Sequence, residues 1–96
     1  MSSELPDNIS ISHAPEKHRY ELKDGDAVIG VASYFPDTDN SVWDFNSTHV
    51  DEAYQGSGLA AKLVNFALTD AKANGHGVKG TCSYVSAYLR KHPELA

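Results

Sequence analysis

The sequence has one cysteine, Cys82, and no apolar run approaching the roughly 20 residues that a membrane-spanning helix needs. A single thiol cannot form an internal disulfide, and it cannot supply the paired cysteine and histidine spacing of a zinc site. The first ten residues also lack the basic start and apolar core of a signal peptide. These absences predict a cytoplasmic protein that neither spans a membrane nor binds a metal.

Basic residues are also scarce in this chain. Eight lysines and arginines stand against thirteen aspartates and glutamates, which gives a formal net charge of −5. Nucleic acids and anionic membrane surfaces would meet net repulsion, so neither is an expected partner. Apolar residues at 41% and charged residues at 22% are ordinary values for a globular protein. The chain of 96 residues therefore predicts one small folded domain.

The first half of the chain has the composition of strands. Residues 1–15 contain two prolines, four serines and little periodicity, which indicates a flexible N-terminal arm or a short docking strand. Residues 18–22 alternate in polarity, residues 27–35 are apolar and β-branched, and the Asp-Gly turn signal between them predicts a hairpin. Residues 41–50 resume strand-like composition, so three antiparallel strands are expected.

The second half predicts a helix, a strand and a second helix. From Leu59 the apolar residues recur at the spacing of an amphipathic helix, which ends at the Asn-Gly pair of residues 74–75. Residues 76–82 suit one short strand, so the helix makes a β-α-β crossover to a parallel neighbour. Residues 83–92 predict a short C-terminal helix. The expected fold is a compact α+β (mixed α/β) domain over residues 16–96.

A turn with two glycines precedes the first predicted helix. Gly56 and Gly58 keep the main chain bare where unpaired N–H groups and the helix dipole favour phosphate. A P-loop is excluded because the required Lys followed by Ser or Thr is missing. The stretch formally fits the dinucleotide fingerprint G-x-G-x-x-A, but antiparallel strands precede it and no acidic residue follows about 20 positions later. A phosphate cradle and a purely structural turn both remain open.

Two sequence blocks taken together point to a family. The turn QGSGLA at residues 55–60 is followed by TCSYV at residues 81–85, and then by Tyr88 and HPE at residues 92–94. With strands before the turn, and a helix and a strand between the blocks, the chain resembles the GCN5-related N-acetyltransferase superfamily. Within it, the chain is similar to the small single-domain YjdJ-type group. The resemblance covers roughly residues 19–94.

The resemblance implies that acetyl-CoA, the acetyl donor, lies in a splay between two parallel strands, residues 42–50 and 77–82. Main-chain groups near Val50 would bond the pantetheine amides, and the amides of the glycine turn would take the pyrophosphate. The superfamily usually has Gln or Arg where this chain has Ala53, but phosphate binding through the main chain does not need that side chain. The implied cofactor-binding residues are Val50, Gln55, Gly56, Ser57, Gly58, Leu59 and Ala60.

The implied activity is acetyl transfer to a small-molecule or protein amine by direct attack in a ternary complex, without a metal. The resemblance places Cys82 close to the thioester, where it would accept an acetyl group or line the pocket; a lone cysteine also suits a buried apolar position. Tyr84 and Tyr88 are candidates to protonate the departing thiolate or to pack in the core. His49 is either the general base or an exposed strand residue, on one face with Ser47.

The sequence is also compatible with a second class of function. The chain is too short to carry the extra elements with which larger acetyltransferases hold an acceptor, and it has no evident base. A non-catalytic acyl-CoA-binding or sensing module is therefore the alternative to an enzyme. In either case a monomer or a weak dimer is expected.

Overall fold

The computed structural model describes residue 6, residues 8–56 and residues 58–96. Five strands form one sheet in the order β1-β2-β3-β4-β5; the first four are antiparallel, and β5 is parallel to β4. This arrangement confirms the predicted α+β fold with its β-α-β crossover. The elements are β1 (Ile9–Ala14), β2 (Arg19–Asp24), β3 (Ala27–Pro36), β4 (Val42–Val50), α1 (Leu59–Ala73), β5 (Gly77–Gly80) and α2 (Ser83–Lys91).

Strand β1 lies inside the segment predicted to be a flexible arm. It pairs with β2 from Ile9↔Asp24 to Ala14↔Arg19, and both Ile9 and Ala14 are buried. Of the two alternatives for residues 1–15, residues 9–14 therefore form the short docking strand and not a flexible arm, and four antiparallel strands rather than three precede the glycine turn. The physical reason is that β2 offers an edge to which residues 9–14 pair, while the alternation of the sequence ISIS directs Ile9 to the core.

Helix α1 agrees closely with its predicted limits. Asn74 is its C-cap, and Gly75 follows with a φ of +88°. One face of the helix is buried against the sheet, which confirms the amphipathic pattern. The buried residues are Leu59, Leu63, Val64, Ala67, Leu68 and Ala71.

The hydrophobic core lies on one side of the sheet. Tyr20, Leu22 and Phe45 point from the strands toward α1, and Val85 of α2 joins the same cluster. The opposite side of the sheet carries polar side chains, among them Glu21, which is buried although it faces away from the helices. Within the described ranges, no helix is long and apolar enough to cross a membrane, and no group of three or more His, Cys, Asp or Glu is placed to hold a metal ion.

A bulge in β4 changes which of its side chains face the core. The pairing with β3 shifts between Tyr34↔Phe45 and Ser33↔Ser47, so Asn46 is an extra residue on β4. Before the bulge the odd-numbered Phe45 is buried, and after it the even-numbered Val50 is buried. After the bulge, therefore, the even-numbered side chains of β4 face the core and the odd-numbered ones face away from it.

Candidate functional site

A cavity of about 380 Å³ opens where β4 ends, beside the first turns of α1 and α2. Its walls come from the end of β4, from the turn that leads into α1, and from the start of α2. The described residues that the sequence predicts to bind the cofactor all lie in this wall. The lining residues are Thr48, Val50, Tyr54, Gln55, Gly56, Gly58, Leu59, Ala60, Ala61 and Tyr84.

The turn before α1 has two glycines in the left-handed region of main-chain conformation. The φ angles are +85° at Gly56 and +81° at Gly58, values that residues with a Cβ rarely adopt. Gly58 is the N-cap of α1, and the first turn of that helix carries no acidic residue. The positive end of the helix dipole is therefore not neutralised from within the helix. Ser57, which the sequence also predicts to bind the cofactor, lies outside the described residues.

The bulge in β4 decides which side chains of this strand reach the cavity. Thr48 and Val50 line it, whereas Ser47 and His49 are exposed on the opposite side of the sheet. The His49 side chain is 68% exposed, and its Nε2 lies 3.6 Å from Asp51 Oδ1. Ser47 and His49 share a face as predicted, but the structure does not bring His49 to the cavity.

The main chain of Thr48 and Val50 borders a gap between β4 and α2. The ladder between β4 and β5 runs as far as Phe45↔Gly80, after which the two chains separate. In an antiparallel pair, alternate residues direct their main-chain groups toward the partner strand. Asp51 donates its N–H to β3 at 2.7 Å, so the main-chain groups of Thr48 and Val50 point away from β3, into the gap.

Cys82 lies beside the cavity at the start of α2. It is half-buried, it is the N-cap of the helix, and its Sγ lies 3.8 Å from Thr48 Oγ1. Burial by itself raises the pKa of the thiol, but hydrogen bonds from the main-chain N–H groups of Val85 and Tyr84, together with Thr48, outweigh burial and lower the pKa. Cys82 therefore forms a thiolate more readily than an ordinary cysteine, and it reaches the cavity wall through Thr48.

Tyr84 and Tyr88 have different surroundings although they are one helical turn apart. Tyr84 lines the cavity; burial, and then the nearby Tyr88, raise its pKa, so its hydroxyl is protonated at neutral pH. Tyr88 accepts a hydrogen bond from Asn65 of α1 at 2.9 Å, and its ring centroid lies 4.3 Å from that of His92. The structure therefore places Tyr84 at the cavity and uses Tyr88 to join α2 to α1.

Of the described residues that line the cavity, three are absent from the site predicted from sequence: Thr48, Tyr54 and Ala61. Uninterrupted alternation would put Thr48 on the wrong face of β4, and nothing local in the sequence marks the bulge. The Tyr54 hydroxyl donates to Asp24 at the end of β2, a long-range contact that local patterns cannot reveal. Ala61 could have been predicted from the sequence, because it directly follows Ala60, the last residue of the predicted cofactor-binding turn.

Comparisons with known proteins agree with this fold. Residues 19–96 match the model of a family described as GCN5-related N-acetyl-transferase, and no curated protein matches the sequence. The solution structure of a GCN5-like protein from Staphylococcus aureus gives a TM-score of 0.65 at 20% identity, over 94% of this chain and 86% of that one. The crystal structure of a GNAT family acetyltransferase from Elizabethkingia anophelis with acetyl-CoA bound gives 0.63 at 19% identity, over 92% and 76%. These likenesses show the fold, and the family match confirms the resemblance: the chain belongs to the GCN5-related N-acetyltransferase family.

Proposed function

We propose that the protein transfers an acetyl group from acetyl-CoA to an amine. The observation that carries this proposal is one cavity that joins the glycine turn before α1 to Tyr84 and to the end of β4, which lies beyond the ladder with β5. Family membership supports it. The Elizabethkingia anophelis neighbour, which has the same fold, has acetyl-CoA bound.

The glycine turn would hold the pyrophosphate of CoA. Main-chain N–H groups at the start of a helix, together with the helix dipole, bind phosphate without a basic side chain. A Cβ added at Gly56 or at Gly58 would meet nothing within 4 Å, so the space in front of both residues is open to a ligand. The main chain of β4 at Val50, which faces the gap, would pair with the pantetheine amides.

Tyr84 is the proposed proton donor of the reaction. In direct attack the neutral amine bonds to the acetyl carbon and loses its proton to solvent, while the carbon–sulfur bond of the thioester breaks. The sulfur then needs a proton, and the Tyr84 hydroxyl holds one at neutral pH beside the cavity. Cys82 would line the thioester end of the cavity or accept the acetyl group, since its lowered pKa favours the nucleophilic thiolate.

Alanine at Gly56 or Gly58 tests the pyrophosphate assignment. The added methyl group and the strain at positive φ would displace phosphate from the main-chain N–H groups. We expect the affinity for acetyl-CoA, measured by calorimetric titration, to fall at least about tenfold, which is about 1.4 kcal/mol. Gly75→Ala is the matched control, because Gly75 also has positive φ and open space but lies at the far end of α1.

Titration of the wild type and the three alanine variants with acetyl-CoA separates the pyrophosphate assignment from the proposed function. The Gly75→Ala variant should bind acetyl-CoA as the wild type does, while the other two variants bind more weakly. Equal affinities in all four proteins would refute the pyrophosphate assignment and leave the family membership intact. A wild-type protein that shows no binding at millimolar acetyl-CoA would refute the proposed function itself.

A non-catalytic acyl-CoA-binding module is the second candidate, and the cavity itself favours it. Among the residues that the structure describes, those lining the cavity include no Asp, Glu, His, Lys or Arg, and His49 lies on the other side of the sheet. Release of free CoA thiol from acetyl-CoA, followed with a panel of amines, separates the two candidates. Release that depends on an amine supports the enzyme; binding of acetyl-CoA without amine-dependent release supports the module.

A further inference from the structure

The carbonyl of Val50 is engaged by a side chain in the free protein. It belongs to the end of β4 whose main-chain groups face the gap rather than β3. Gln55 Nε2 donates a hydrogen bond to this carbonyl at 2.8 Å. Both residues line the cavity, and a primary amide of Gln has the donor geometry that the secondary amide of a ligand would offer at the same oxygen.

The contact links two structural elements that the cavity separates. Val50 is the buried last residue of β4, whereas Gln55 is an exposed residue of the turn before α1. An exposed side chain gives up a hydrogen bond at small net loss, because water replaces the partner. The Gln55 amide can therefore leave the Val50 carbonyl without disturbing the strand.

We propose that Gln55 determines affinity for amide-bearing ligands: its side chain occupies the Val50 carbonyl in the free protein and is displaced when a pantetheine amide pairs there. This inference rests on the proposed function, which supplies CoA as the ligand. In the free protein, the Gln55 side chain therefore competes with the ligand amide for the Val50 carbonyl. Ligands without a pantetheine arm do not reach Val50 and leave the Gln55 contact in place.

The variant Gln55→Met removes the competing donor while keeping a side chain of similar length and volume. We expect it to bind CoA about three- to tenfold more tightly than the wild type does, the range that corresponds to one net hydrogen bond. The nucleotide half of CoA, 3′-phosphoadenosine 5′-diphosphate, should bind both proteins equally. Calorimetric titration with each of the two probes measures all four affinities.

Asn74→Leu is the matched control variant. Asn74 Nδ2 also donates to a main-chain carbonyl, that of Asp70 at 2.8 Å, but it does so at the far end of α1. Its loss should leave the affinity for CoA unchanged. A thermal melt of both variants shows whether either change acts through the fold instead of through the cavity.

The possible results of these titrations distinguish between different roles of Gln55. Tighter binding of CoA alone supports the proposal, whereas unchanged or weaker binding of CoA by Gln55→Met overturns it and leaves Gln55 as a structural or ligand-contacting residue. Tighter binding of both probes also overturns it, because the effect then does not depend on the pantetheine amide. If the wild type binds neither probe, the proposed function fails and not merely the role of Gln55.

Discussion

At the scale of single residues, Cys82 shows how a tertiary contact changes the chemistry of a side chain. The sequence identifies it as a candidate, since it precedes a short helix in the TCSYV block. Its partner Thr48 lies 34 residues earlier in the chain and meets it across the gap beside β4. The direction of the thiol pKa follows from that contact and from the N–H groups at the start of α2. The helix is predicted from the sequence, whereas the contact with Thr48 is not.

We expect Cys82 to react with iodoacetamide at a lower pH than an ordinary thiol does. Because its pKa is lowered, the thiolate is present at pH values at which free cysteine is still protonated. The rate of alkylation is measured by intact-protein mass spectrometry as a function of pH. The midpoint of this curve should lie at a lower pH for Cys82 than for N-acetylcysteine. Thr48→Val removes one stabilising contact, so its midpoint should rise, by less than about one unit.

Cys82→Ser serves as the control for this measurement and should form no adduct. A midpoint at or above that of N-acetylcysteine would contradict the placement of the thiol at the start of α2. A midpoint in Thr48→Val equal to that of the wild type would show that the main-chain N–H groups act without Thr48.

At the scale of elements, local patterns predicted α1 well and β4 incompletely. The spacing of residues such as Leu63 and Leu68 is a property of the helix alone, so the buried face of α1 could be derived from the sequence. The bulge at Asn46 depends on how Ser33 and Tyr34 of β3 pair with β4. A strand's own alternation cannot show where one of its residues is left without a partner, and this is why the sequence points to His49 and not to Thr48.

The contact between β5 and α2 depends on a glycine. A Cβ at Gly80 would lie 2.6 Å from Val85 Cγ1 and 3.1 Å from the main-chain nitrogen of Ser86, so Gly80→Ala must push α2 away from the strand. We expect the free energy of unfolding, measured by urea denaturation, to fall by about 1–3 kcal/mol. Gly77→Ala on the same strand is the control, since its Cβ would lie 3.3 Å from Val42 Cγ2, and it should lose less than about 1 kcal/mol. Equal losses would show that the close approach of α2 does not limit stability.

At the scale of the whole molecule, the order of strands and helices could be derived from the sequence, but for the first strand the sequence left a flexible arm and a short docking strand as alternatives. The pattern of residues 9–12 alternates over too short a stretch to outweigh the prolines and serines around it. In the structure, β2 stabilises this strand, since it offers an edge with which β1 pairs over six residues. The resulting sheet has both helices on one side and leaves Glu21 of β2 on the other.

Glu21 links the stability of the sheet to pH. Arg19 donates to Glu21 Oε2 from Nε at 2.9 Å and from Nη2 at 2.7 Å, and Lys23 Nζ lies 3.8 Å from Oε1. The Arg19 hydrogen bond lowers the pKa of Glu21, although burial opposes it. A carboxyl whose folded-state pKa is lowered stabilises the fold when it is charged. That stabilisation is present above the unfolded-state pKa and is lost as the pH falls through the folded-state pKa.

Glu21→Gln should therefore destabilise the protein in a pH-dependent way. We expect the free energy of unfolding, from urea denaturation, to fall by about 1.5 kcal/mol at pH 7, because a hydrogen-bonded charge is lost. The difference from the wild type should shrink as the pH falls below the unfolded-state pKa of a glutamate, about 4.3, and on through the lowered folded-state pKa of Glu21. Glu16→Gln changes an exposed glutamate and should stay within about 0.5 kcal/mol of the wild type at both pH values. A loss in Glu21→Gln of the same size at pH 7 and pH 3 would mean that the side chain acts through its shape, and the charge of the ion pair would then have no part in holding β2 in the sheet.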